Sequence, residues 1–111
     1  MIELDTKCVF HIPLYKFIDD ELILIDIDEI LDDLIGQFSE NGYDSLYMTK
    51  VKGVYKSREF DELLITIFTS SNQNKESPEI IFKKWFMENN NLLEQEAFAY
   101  EWNNSLFIEE I

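Results

Sequence analysis

The side chains best suited to proton transfer or nucleophilic attack in this sequence are its one histidine, His11, and its one cysteine, Cys8. A thiol activated by an imidazole needs both groups on one side of the backbone. Between Lys7 and Tyr15 the residues alternate, with Cys8, Phe10, Ile12 and Leu14 on one parity and Val9, His11, Pro13 and Tyr15 on the other. That is the pattern of an extended strand whose successive side chains point to opposite faces. Cys8 and His11 therefore face apart, and a Cys–His pair is set aside. His11 alone remains as a general base, with Tyr55 and Arg58 as polar groups to complete a ligand-binding site around it. The weightier reading of a lone strand histidine is a partly buried hydrogen-bonding side chain. A single cysteine also excludes an intramolecular disulfide and a thiolate metal cluster.

Carboxylates crowd one stretch, Asp19, Asp20 and Glu21 followed by Asp26, Asp28, Glu29, Asp32 and Asp33, and oxygen ligands in number can hold a hard cation. The spacing fails that test. With Asp26 as the first ligand of an EF-hand loop, Ile30 and Leu31 fall where the loop needs an oxygen ligand and a glycine. Asp28 with Asp32, and Glu29 with Asp33, have helical i,i+4 spacing, and each like-charged pair costs a helix about 0.2–0.5 kcal/mol. We read Asp28, Glu29, Asp32 and Asp33 as a solvated acidic surface, with no metal and no cofactor, open to a basic protein partner. The opposite contrast lies between Tyr43 and Arg58, where Lys50, Lys52, Lys56 and Arg58 against Asp44 give a local charge of +3. Lysines on an edge strand block further pairing, and that structural role outweighs an anion-binding strip. The glycines, Gly36, Gly42 and Gly53, are too scattered to cradle a phosphate.

The elements that must position these groups come from 111 residues with a net charge of −14 and a pI near 4.2. With one arginine in the chain, direct nucleic-acid binding is disfavoured, because neutralising phosphates takes clustered Lys and Arg. A hydrophobic share of 46% supplies a core and argues against disorder. The aliphatic run Leu22–Ile25 is far below the about 18 residues of a membrane span, and no export signal opens the chain. The sequence therefore predicts one domain over residues 1–111, cytoplasmic and without a membrane partner.

Strand 1 is predicted over Lys7–Tyr15, with Lys16–Ile25 as a connection holding a short extended piece at Leu22–Leu24. Ile27, Ile30, Leu31, Leu34, Ile35 and Phe38 form one helical stripe. Asp26 with Glu29 reads as a capping box and Gly42 as a left-handed terminator. Strand 2 follows over Leu46–Tyr55, with Gly53 placed as a bulge or bend. Leu63–Thr69, apolar on both parities, reads as a central third strand. After a polar loop over Ser70–Glu76, Ser77-Pro78-Glu79 starts a second helix that Asn89–Asn91 should end. Glu96–Trp102 is a fourth strand, and Leu106–Ile108 a short edge piece.

That order, strand, helix, strand, strand, helix, strand, is an α+β, ferredoxin-like βαββαβ sandwich: a four-stranded antiparallel sheet with two helices on one face. Strands 1 and 3 would be central, and strands 2 and 4 edges. Leu64, Thr66 and Phe68 then face outward as an interaction face, and an open apolar sheet face in a soluble chain needs a cover. The covers available are a second copy of the chain, as a homodimer, the Lys16–Ile25 segment, Leu106–Ile108, a ligand or a partner protein. Periodicity leaves open which face Phe98, Tyr100 and Trp102 take. The function predicted is a small acidic, non-enzymatic interaction module that self-associates or binds a protein through its sheet face. The alternative is a small-molecule enzyme or sensor with a pocket on that face, and a further one a nucleic-acid mimic.

Overall fold

Alternation, helical stripes and turn residues resolve into nine elements in the computed structural model, which describes residues 1–70 and 76–111, the Tyr55 side chain excepted. They are β1 (Thr6–Pro13), β2 (Tyr15–Ile18), β3 (Glu21–Leu24), α1 (Asp28–Glu40), β4 (Leu46–Tyr55), β5 (Arg58–Thr69), α2 (Pro78–Leu93), β6 (Ala97–Trp102) and β7 (Ser105–Glu110). β4-β5-β1-β6-β7 form one antiparallel sheet, and β2-β3 a separate hairpin. The chain is thus α+β with two helices and a mainly antiparallel sheet.

The four-stranded expectation is corrected in two places. Leu106–Ile108 belongs to a full strand, β7, paired with β6 from Ala97↔Glu110 to Trp102↔Ser105, so β6 is interior rather than an edge. The segment expected as a connection folds into the β2-β3 hairpin, whose turn Asp19-Asp20 has φ of 51° and 65°. Left-handed values at both central positions match the right-handed twist of the flanking strands, and Asp tolerates them better than most residues. The turn Lys56-Ser57, at φ 50° and 64°, joins β4 to β5 in the same way. The third strand accordingly begins at Arg58, five residues before the apolar run that announced it. Gly53 makes no bulge, since pairing runs unbroken through Lys52↔Asp61, Gly53↔Phe60 and Val54↔Glu59.

Helix ends also differ from the sequence reading. The N-cap of α1 is Ile27, without a side-chain cap, so the Asp26 capping box is absent; Ile25 and Ile27 are buried instead, and the core fixes this end. Gly42, at φ 83°, terminates α1 with the Tyr43 N–H on the Phe38 carbonyl at 3.0 Å, a Schellman arrangement. Asn89–Asn91 lie inside α2, which runs to Leu93. Asn90 still sets the stop: its carbonyl accepts from Glu94 N–H and its side-chain oxygen from Gln95 N–H at 3.0 Å. The Ser70–Glu76 loop lies, for residues 71–75, outside the described residues.

Both helices pack on the face of the sheet that carries Cys8, Phe10 and Ile12. Phe10 contacts Phe38 of α1 at 5.4 Å and Phe82 of α2 at 4.9 Å between ring centroids, and Trp85 ties the helices together by donating to the Ile30 carbonyl at 2.7 Å. Phe98 and Tyr100 join this core, which settles the facing of the β6 aromatics: they point toward the helices, and β6 shows Ala97, Ala99 and Glu101 to the outer face.

Candidate functional site

Register assembles the outer face around His11. β1 pairs with β5 so that Pro13 stands opposite Glu62, and with β6 so that Val9 stands opposite Glu101. Each carboxylate is therefore a diagonal neighbour of His11, on the strand to either side, within reach of a long side chain. His11 Nε2 lies 2.9 Å from Glu101 Oε2, and Nδ1 lies 3.8 Å from Glu62 Oε1. Glu62, then Glu101, raise the imidazole pKa above its ordinary 6.5, against burial, which opposes the charge. The arrangement places an imidazole between two carboxylates that favour its protonated form, a group able to take and return a proton.

Two hollows adjoin this cluster. Pairing of β1 with β6 covers only Cys8, Val9 and Phe10, and the strands part beyond them. A cavity of about 130 Å³ lies there, lined by His11, Glu62, Gln95, Ala97 and Ala99 among others. The second hollow is an open groove of about 710 Å³ running past the β2-β3 hairpin, with Phe17, Arg58, Phe60, Glu62, Gln95 and Glu96 in its wall. Its size falls in the range of small-molecule sites, about 300–1,000 Å³. Glu62 and Gln95 line both hollows.

The hairpin is fastened at both ends. At its base, Lys16 Nζ donates to the Leu92 carbonyl at 3.0 Å and meets Glu94 at 3.3 Å, and Gln95 donates to the Tyr15 carbonyl at 3.1 Å. At its tip, Arg58 donates to the Asp20 carbonyl and lies 5.7 Å above the Phe17 ring, while Phe17 meets Phe60 edge-on at 6.4 Å. Gly53 serves this wall by having no side chain. A Cβ there would come 3.0 Å from Phe60 and 3.1 Å from Glu62 Oε2, so the glycine makes room for the ring and the carboxylate.

Of the ligand-binding candidates, His11 and Arg58 lie on the outer face of β1 and β5 but line different hollows, joined through Glu62. Tyr55 ends β4 opposite Arg58, and its side chain lies outside the described atoms. Leu64, Thr66 and Phe68 share the outer face of β5; Thr66 is buried, Leu64 half-buried and Phe68 exposed, stacked on Tyr47 at 6.3 Å. Asp28, Glu29, Asp32 and Asp33 are exposed on α1. Cys8 is buried in the core, where burial pushes its thiol pKa up to about 12, the state of an inert side chain. Sequence reasoning missed Glu62, Phe60 and Glu101. Their outward parity was readable, but their approach to His11 and the hairpin depends on a register that a single strand does not reveal.

No family model matches the chain, and no curated protein sequence does. Among solved structures, a phage SAM lyase in its apo state superposes with a TM-score of 0.57 at 12% identity, over 100% of this chain and 95% of that one. The likeness is one of fold, end to end. No helix among the described residues is long and apolar enough to cross a membrane.

Proposed function

We propose that this chain binds a small organic cation in the groove beside the β2-β3 hairpin, and that the adjoining His11 cluster supplies proton transfer to the bound molecule. One observation carries the reading: Glu62 lines the groove and also touches His11, so a ligand there meets a carboxylate already coupled to a titrating imidazole. The lining favours a cation, with Asp20, Glu62, Glu94 and Glu96 against Lys56 and Arg58. The fold likeness to a SAM lyase makes SAM, S-adenosylmethionine, the first ligand to test, since its sulfonium is such a cation. On this reading the strands β1, β4, β5 and β6 with the two helices are a split βαβ core, and the hairpin and β7 are additions that build the site. A lone, buried cysteine is in keeping with a cytoplasmic protein.

Calorimetric titration with SAM, followed by chromatography of the incubated mixture, tests this. Saturable binding that Phe60→Ala and Glu62→Gln each weaken is expected; no heat of binding at millimolar SAM would refute it.

A second reading, self-association through the outer face, is favoured by a separate observation. Leu106 and Ile108 at one margin of that face are 56% and 66% exposed, and Tyr47 at the other is 50% exposed. Two-fold pairing would cover two such faces at once. Light scattering coupled to size exclusion decides it: a dimer that Ile108→Glu dissociates supports the pairing, and a monomer at high concentration removes it.

A further inference from the structure

Arg58, Phe60 and Glu62 are alternate residues of β5, so their side chains leave the same face. At about 3.4 Å per residue the Arg58 and Glu62 backbones stand about 14 Å apart, with Phe60 midway between them. All three line the groove. Lys56 joins Arg58 at the hairpin tips, and Glu96 joins Glu62 where the chain enters β6. The two lining cations therefore share one end of the groove, beside Asp20, whose carbonyl accepts from Arg58, while Glu62 and Glu96 stand away from them. The ring lies over Gly53 on β4, whose missing side chain makes room for it.

We infer that the groove selects an amphoteric ligand, with a carboxylate held at Arg58 and a cationic group held at Glu62. The inference rests on the groove being a small-molecule site and names the ligand class it takes. A guanidinium recognises a carboxylate by paired, charge-assisted hydrogen bonds. A carboxylate at the far end of the groove holds an ammonium or sulfonium by charge. A ligand with only one of the two charges would satisfy one end and leave the other unanswered.

Calorimetry with two probes, SAM and decarboxylated SAM, tests the inference, because the probes differ only in the carboxylate. Wild type should bind SAM about tenfold more tightly, the worth of one charge-assisted contact. Arg58→Ala should abolish that preference by weakening SAM alone, and Glu62→Gln should weaken both probes. Circular dichroism of each variant confirms that the fold is retained. Equal affinity of wild type for the two probes, a preference that survives Arg58→Ala, or binding indifferent to Glu62→Gln would overturn the amphoteric assignment and leave groove binding standing. Failure of wild type to bind either probe would overturn both.

Discussion

Gly53→Ala should alter the candidate site while leaving the fold almost untouched, and the sign of its effect follows from strand order. Gly53 is outside the left-handed region, so alanine adopts its backbone without strain. Restricting the unfolded chain is worth about 0.4–1 kcal/mol to the folded state. Against this, the new Cβ would sit 3.0 Å from Phe60 Cε2 and 3.1 Å from Glu62 Oε2. Ordinary contact begins near 3.4 Å, so both side chains must give by a few tenths of an ångström, and pushing the ring off its rotamer costs about 0.5–1.5 kcal/mol. The two effects offset, and net stability should stay within about 1 kcal/mol of wild type. The push comes from β4, and the sheet order is β4-β5-β1, so the Glu62 carboxylate moves toward His11. Shortening a 3.8 Å charge separation by about 0.4 Å strengthens the attraction by about a tenth. The His11 pKa, already raised by Glu62 and Glu101, should rise further. His11 is the chain's one histidine, so its ring proton gives a single assignable resonance in a pH titration by NMR. A pKa unchanged or lowered in a folded Gly53→Ala protein would refute the placement of Glu62 between Gly53 and His11. Gly36→Ala is the control: nothing lies within 4 Å of its Cβ, and it should gain about 0.5–1 kcal/mol of helix stability with no change at His11.

Two further perturbations test the same structure. His11→Gln removes a group whose folded pKa lies above its unfolded 6.5. The stability His11 contributes is fully present below pH 6.5 and is lost as pH rises through the folded value. The melting-temperature gap between wild type and His11→Gln should therefore be widest below pH 6.5 and narrow as pH rises above it, and a gap that widens with pH would contradict the carboxylate contacts. Trp85→Phe deletes the indole hydrogen bond to the Ile30 carbonyl, 2.7 Å long, and leaves a void in a fully buried position. Urea denaturation should show a loss of about 2–3 kcal/mol.

Local pattern in the chain is enough to pick out most residues that could form the core and several of the places where the chain must turn. Helical stripes located α1 and α2, alternation located β1 and β6, and Gly42 marked the end of α1, because these signals are local: they depend on backbone preference and on burying one face. It also showed that Cys8 and His11 cannot meet, since strand parity alone decides that. The Lys16–Ile25 segment escaped local reading because a four-residue strand carries too few alternations to stand out, and its turn uses Asp19-Asp20 where Asn-Gly would have announced it. The apolar run places the start of β5 at Leu63 for a related reason: Arg58–Glu62 is mostly polar, and it is a strand because β4 pairs with it. Tertiary structure alone decided that Glu62 and Glu101 flank His11 and that Arg58, Phe60 and Glu62 line a groove. Those proximities come from register between strands that are distant in the chain, and from a hairpin fastened at Lys16, Gln95 and Arg58. Each strand's own pattern fixes the face a side chain takes, while the neighbour it meets on that face is set by long-range pairing.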